Sequence, residues 1–189
     1  MKKAFILIGF VLLFAQVAAA DVQDESLAYE NSKMGIKLQG PPGWCLYQGM
    51  KKRPEVLAVF SKLPYTLNEK DNPTIVLFRR SAAKKGPDSP LAQAKRDVEV
   101  IGLMRNVKGV EWTRILDEPK ETAIGGRDCA GFSYEIKVPH KKQAEDSKAI
   151  EYNFLKDGQF YVLFCGARSE FFDKYSGDFA QSVNSFILQ

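Results

Sequence analysis

Residues 149–167 read AIEYNFLKDGQFYVLFCGA, two apolar runs joined at Asp157-Gly158. Asp-Gly between such runs predicts a β-hairpin, because glycine takes the positive φ of a tight turn at no steric cost. The returning run sets Phe160, Val162 and Phe164 on one side and Tyr161, Leu163 and Cys165 on the other. A strand apolar on both faces belongs near the centre of a sheet that is covered on both sides. Upstream, residues 127–138 also alternate: Ala130, Phe132, Tyr134, Ile136 and Val138 point one way, and Cys129, Ser133, Glu135 and Lys137 the other. Pro139 ends that strand, and the polar HKKQAEDSK at 140–148 reads as a loop.

The covering layers come from two amphipathic segments. In SPLAQAKRDVEVIGLMRN (89–106), Ser89 can cap a helix and Pro90 suits its first turn. Leu91, Ala94, Val98, Ile101 and Met104 fall on one face, which leaves Lys95, Arg96, Asp97 and Glu99 to meet water. A second helix starts near Ser169 and carries Phe172, Tyr175, Phe179, Val183 and Phe186 on one face, with Gly177 weakening its continuity. Toward the N-terminus, a strand over Met34, Ile36 and Leu38 follows a loose polar lead-in at 21–31 and stops at PPGW (41–44). WCLY, Val56 to Phe60, Thr74 to Phe78 and Trp112 to Leu116 are further short strands, and DEPKETAIGG (117–126) is a turn and the approach to the next strand. Two helices around six to eight strands predict a layered α/β domain of the α+β type.

The chain has 189 residues, of which 45% are apolar and 26% charged, ordinary values for a folded globular domain. Residues 1–20, MKKAFILIGFVLLFAQVAAA, have two lysines, a short apolar core and a small-residue end, the layout of a cleaved secretory signal peptide. Residues 21–189 then form a single domain, exported to the periplasm or secreted, with no transmembrane segment after cleavage. With Lys2 and Lys3 removed, the net charge falls from +4 to about +2. Together with export, that near-neutral balance argues against a nucleic-acid binder. Cys45, Cys129 and Cys165 lie in the exported part, where a bridge between Cys129 and Cys165 is one reading and three small buried hydrophobes the other.

The order of these elements resembles the PsbP, Mog1 and DcrB-like superfamily. The resemblance rests on MGIKLQGPPGW (34–44), the helix from Ser89, the strand from GGRDCAGFSYE (125–135), the hairpin YNFLKDGQFYVLFCGA (152–167) and the closing YSGDFAQSVNSFIL (175–188). It covers about Leu27 to Gln189, and the order of its motifs carries it more than any one of them. It implies a mostly antiparallel sheet sandwiched between helices, an α/β/α arrangement. It also implies a largely non-enzymatic role: superfamily members include a lumenal accessory protein of the oxygen-evolving photosystem, a binder of a small nuclear GTPase, and bacterial envelope proteins. The export signal makes this chain similar to the envelope members.

Local chemistry agrees with a non-enzymatic role. The one histidine, His140, has no positioned nucleophile or carboxylate beside it in sequence, as a triad requires. One histidine also rules out a three-histidine metal site, and no CxxC, P-loop or dinucleotide motif occurs. Carboxylates such as Glu111, Asp117, Glu118, Glu135 and Glu151 are scattered without a distinguishing context. The expected function is therefore protein-protein contact in the bacterial cell envelope, without catalytic residues, metal or cofactor, by a monomer or weak oligomer. The alternatives are small-ligand or acidic-lipid binding, a structural envelope role or, last, a hydrolase. The expected partner is an envelope protein or acidic surface, met by the aromatics Trp44, Tyr47 and Tyr65 with the basic loops Lys51, Lys52, Arg53, Arg79, Arg80, Lys84, Lys85, His140, Lys141 and Lys142. Trp44 has a competing reading as a large anchor at the edge of the core.

Overall fold

A computed structural model of the chain describes residues 27–51, 53–64, 72–80, 86–104, 106, 110–140 and 143–189. The signal-peptide reading of 1–20 lies outside them. In chain order the strands are β1 Ala28–Asn31, β2 Ile36–Gln39, β3 Cys45–Gln48, β4 Val56–Ser61, β5 Thr74–Arg80, β6 Trp112–Ile124, β7 Arg127–His140, β8 Gln143–Lys156, β9 Gln159–Arg168 and β10 Ile187–Leu188. Helix α1 is Pro90–Met104. A short α2, Ser169–Phe172, runs through a 3-10 turn at Asp173–Tyr175 into α3, Ser176–Ser185.

Seven strands form one antiparallel sheet in the order β3-β4-β5-β9-β8-β7-β6. The strand that is apolar on both faces, β9, is its middle member. Val162 and Phe164 join the core under α1, with Ala94, Ile101 and Met104. Tyr161, Leu163 and Cys165 join the opposite core, with Phe172, Tyr175, Phe179, Val183 and Phe186. Helices thus cover both faces of the sheet. A second sheet, β1-β2-β10, lies on the α2–α3 side and adds Tyr29, Ile36, Leu38 and Leu188 to that core. Ser182 Oγ donates to the Gln39 carbonyl at 2.6 Å, and Ser185 Oγ accepts from the Gln39 N–H at 2.9 Å, fastening α3 to β2.

Several element bounds differ from the sequence reading. Ala28–Asn31, expected as loose lead-in, pairs with β2. β6 runs on to Ile124 through two register shifts, because bulges let the ladder continue past Pro119. The polar stretch around His140 is no loop at its flanks: the pairing continues through Lys137↔Asp146 and Pro139↔Ala144 to His140↔Gln143. Backbone ladders need no apolar alternation. α1 ends at Met104, and the C-terminal helix is interrupted by the 3-10 turn, which keeps Phe172, Tyr175 and Phe179 all buried on the same core.

Candidate functional site

At one edge of the large sheet, β3 ends at Gln48 and the chain turns through Gly49, whose φ of +69° favours glycine. Two turns follow: the Arg53 N–H donates to the Met50 carbonyl at 3.0 Å, and the Val56 N–H to that of Arg53 at 2.9 Å. They frame a notch of about 360 Å³ lined by Tyr29, Gln48, Gly49, Met50, Lys51, Pro54, Val56 and Leu57. Tyr29 and Leu57 belong to the core on the α2–α3 side and Val56 to the core under α1, so both cores reach the surface here. Lys51 is exposed at the notch, whereas Arg53 is half-buried and 3.4 Å from Glu55. Tyr47 packs half-buried beside the α1-side core. Arg79 is half-buried on β5, where its N–H bonds the Glu55 carbonyl at 2.8 Å.

Of the other residues expected at a binding surface, the two whose side chains are described, Trp44 and Arg80, lie elsewhere. Trp44 is 4% exposed and meets Tyr175 and Phe179 edge-on, each with ring centroids 6.2 Å away; it is a core anchor and not a contact residue. Arg80 leaves the surface set as well, because its guanidinium is held in a buried ion pair. Lys52, Tyr65, Lys84, Lys85, Lys141 and Lys142 lie outside the described residues, and His140 is placed only by its backbone in β7. The Cys129–Cys165 bridge is not formed. Cys129 pairs across with Phe154 and Cys165 with Ile150, so β8 stands between them with a four-residue offset, and both thiols are free and buried.

Under α1 lies a polar cluster that the helical pattern concealed. Arg80 Nη2 donates to Asp97 Oδ2 and to Glu151 Oε1, each at 2.9 Å. Gln93 Nε2 donates to Asp97 Oδ1 at 2.8 Å, and Asn153 Nδ2 to Glu151 Oε1 at 3.3 Å. Asp97, expected to meet water, is 1% exposed. Burial, with the Glu151 charge behind it, lifts its carboxyl to about 8, and the same burial raises the Tyr134 phenol. The local clue was Gln93 and Asp97 falling in line with Ile101 and Met104 at separations of 4, 4 and 3. A carboxyl pair in a cleft would suggest acid–base chemistry. This pair is sealed between helix and sheet and occupied by Arg80, so it joins α1 to β5 and β8. Among the described residues, no three His, Cys, Asp or Glu side chains come together as metal ligands would.

No protein-family sequence profile matches the chain, and no curated protein matches it in sequence. The shape is more informative. Cyanobacterial PsbP (CyanoP) from Synechocystis sp. PCC 6803 superposes with a TM-score of 0.58 at 15% identity, over 93% of this chain and 96% of that one. The chain has the PsbP-like fold. A protein of unknown function from Pseudomonas aeruginosa, PA94, is also similar, with a TM-score of 0.52 at 12% identity, over 86% of this chain and 96% of that one. In this chain's PsbP-like sheet the notch opens beside the edge strand β3, and the buried cluster lies under α1. No described helix is long and apolar enough to cross a membrane.

Proposed function

We propose that this protein is a non-enzymatic accessory protein of the bacterial cell envelope, exported to the periplasm or secreted, that works by contact with another protein. The notch at the β3–β4 turns carries the reading. Tyr29, Val56 and Leu57 of its lining belong to the two cores and give it a fixed floor, and Lys51 adds a positive charge at its lining. A preformed apolar hollow with charge beside it accepts one anchoring side chain from an acidic partner surface, while the charge speeds encounter. The accessory role implied by the superfamily resemblance agrees with this.

Placing a photo-crosslinking residue at Met50, in the full chain expressed at native level in its own envelope, tests the proposal. One recurring protein partner, lost or sharply reduced with Lys51→Glu, is the expected result. Crosslinks no richer than those from the same residue placed at Lys95, on the outer side of α1, would overturn it. So would a recurring small molecule in the notch in place of a protein.

A further inference from the structure

We propose that helix α1 is a pH-sensitive latch: the Arg80–Asp97–Glu151 cluster holds it on the sheet while one of the two carboxyl groups carries a proton, and loss of that proton lifts the helix before the rest of the molecule unfolds. Asp97 Oδ2 and Glu151 Oε1 both accept from the same nitrogen, Arg80 Nη2, at 2.9 Å. Both carboxyl groups are buried, and Arg80 is their one cation. A single guanidinium balances a single carboxylate, so the second carboxyl is stable in the closed molecule as the neutral acid.

The three groups divide along the boundary between helix and sheet. Arg80 is on β5 and Glu151 on β8, and both strands pair with β9. Asp97 is carried by α1 alone. Lifting the helix takes Asp97 into water, where it ionises freely, and leaves Arg80 and Glu151 as a matched pair on the sheet. Parting the strands instead would break backbone ladders and separate that pair. The middle of α1 also has a thin apolar hold, since Gln93, Ala94 and Asp97 are buried there, whereas the layer on the other face of the sheet buries Phe172, Tyr175, Phe179 and Val183.

Every layer against Asp97 contributes to its titration. Arg80 faces it from β5, Glu151 from β8, the Tyr134 phenol from β7, and Gln93 from α1 itself. β6 also packs on α1, but among the described residues it sends no charged group to the cluster. Burial first and the Glu151 charge second raise the Asp97 carboxyl to about 8. The closed form keeps its proton up to that pH, and a solvated Asp97 releases it above about pH 4. Between those limits each pH unit favours the open form about tenfold. Opening uncovers Val76, Phe132, Ile136 and Val162, an apolar sheet face whose exposure rises with pH.

Hydrogen–deuterium exchange of the full chain, read by mass spectrometry and corrected for the free-peptide rate at each pH, tests the latch. From pH 6 to pH 9, protection of residues 90–104 should fall at least about tenfold, and that of the β8–β9 hairpin over residues 149–167 should hold. Asp97→Asn should abolish the fall, being neutral in both forms. Glu151→Gln should abolish it too, because Arg80 and an ionised Asp97 then balance, and this variant decides the matter if Asp97→Asn does not fold. Glu99→Gln, on the exposed side of α1, should leave the fall in place. Parallel loss of protection in helix and hairpin would overturn the proposal and make the cluster a contributor to global stability alone. So would a fall that survives in either cluster variant, or helix protection that does not change with pH.

Discussion

Cys165 has 1% of its surface exposed on the central strand, and burial pushes its thiol far up. Cys129 is raised to about 11, by burial first and the nearby Asp128 second. Because the thiolate is the reactive form, both are inert at neutral pH, whereas Cys45 on the edge strand is only half-buried. A maleimide at pH 7 should label the folded protein once, at Cys45, and the urea-unfolded protein at all three positions without prior reduction. Mass spectrometry of the labelled peptides checks this; native labelling at Cys129 or Cys165 would contradict the packing. At this scale the sequence was readable where a side chain's own chemistry decides its place, as for the aromatics of the closing helix. It was unreadable at Asp97, which sits among Lys95, Arg96 and Glu99 and looks solvated. Its partners are Arg80, 17 positions earlier, and Glu151, on a strand that only the fold brings near. Arg80 was misplaced for the same reason.

Helix α1 illustrates how such a residue governs an element. The groups facing Asp97 are Arg80 from β5, Glu151 from β8, Tyr134 from β7 and Gln93 from α1 itself. With its carboxyl at about 8, the folded state keeps a proton that the unfolded chain releases above about pH 4. The stability linked to this proton is complete below about pH 4 and drains away as pH rises to about 8. Urea midpoints should therefore fall between pH 5 and 8, by an amount on the order of a few kcal/mol in free energy. Asp97→Asn, which cannot ionise, should flatten that fall and leave the variant relatively more stable at pH 8. An unchanged slope would remove Asp97 from the account.

Removing the cation is the converse experiment. Arg80→Met leaves the buried Glu151 carboxylate without its counter-charge and should cost about 3–5 kcal/mol at neutral pH. The α1 stripe, with Leu91, Ala94, Val98, Ile101 and Met104 on one side, was legible as a packing face. The outer arms of the β7–β8 hairpin were not, since the pairing runs on past Pro139 into a polar stretch whose composition reads as a loop.

Across the whole molecule, glycine lets the turn at the far edge of the large sheet approach the end of α3 closely. Gly125, in the β6–β7 turn at φ +58°, would place a Cβ 2.3 Å from the Phe186 carbonyl oxygen. Gly126, its neighbour at φ +75°, has open space. Gly126→Ala should then cost only the left-handed backbone penalty of about 1–2 kcal/mol. Gly125→Ala should cost more, because the turn must also move away from the end of α3; thermal melts of the two variants give the comparison. The layered arrangement and the middle place of β9 were legible because burial on both faces leaves a pattern in the chain. The separate β1-β2-β10 sheet was not, because a four-residue alternating strand carries no record of which sheet it joins.

That small sheet has a temporal side. β2 lies between β1, which immediately precedes it, and β10, where Ile36 meets Leu188. At synthesis rates of about 5–20 residues per second, the roughly 150 residues separating those strands take about 8–30 s to emerge. Throughout that interval the nascent chain lacks the strand that closes β2 and the helix that anchors it, so the small sheet cannot be completed until β10 has left the ribosome.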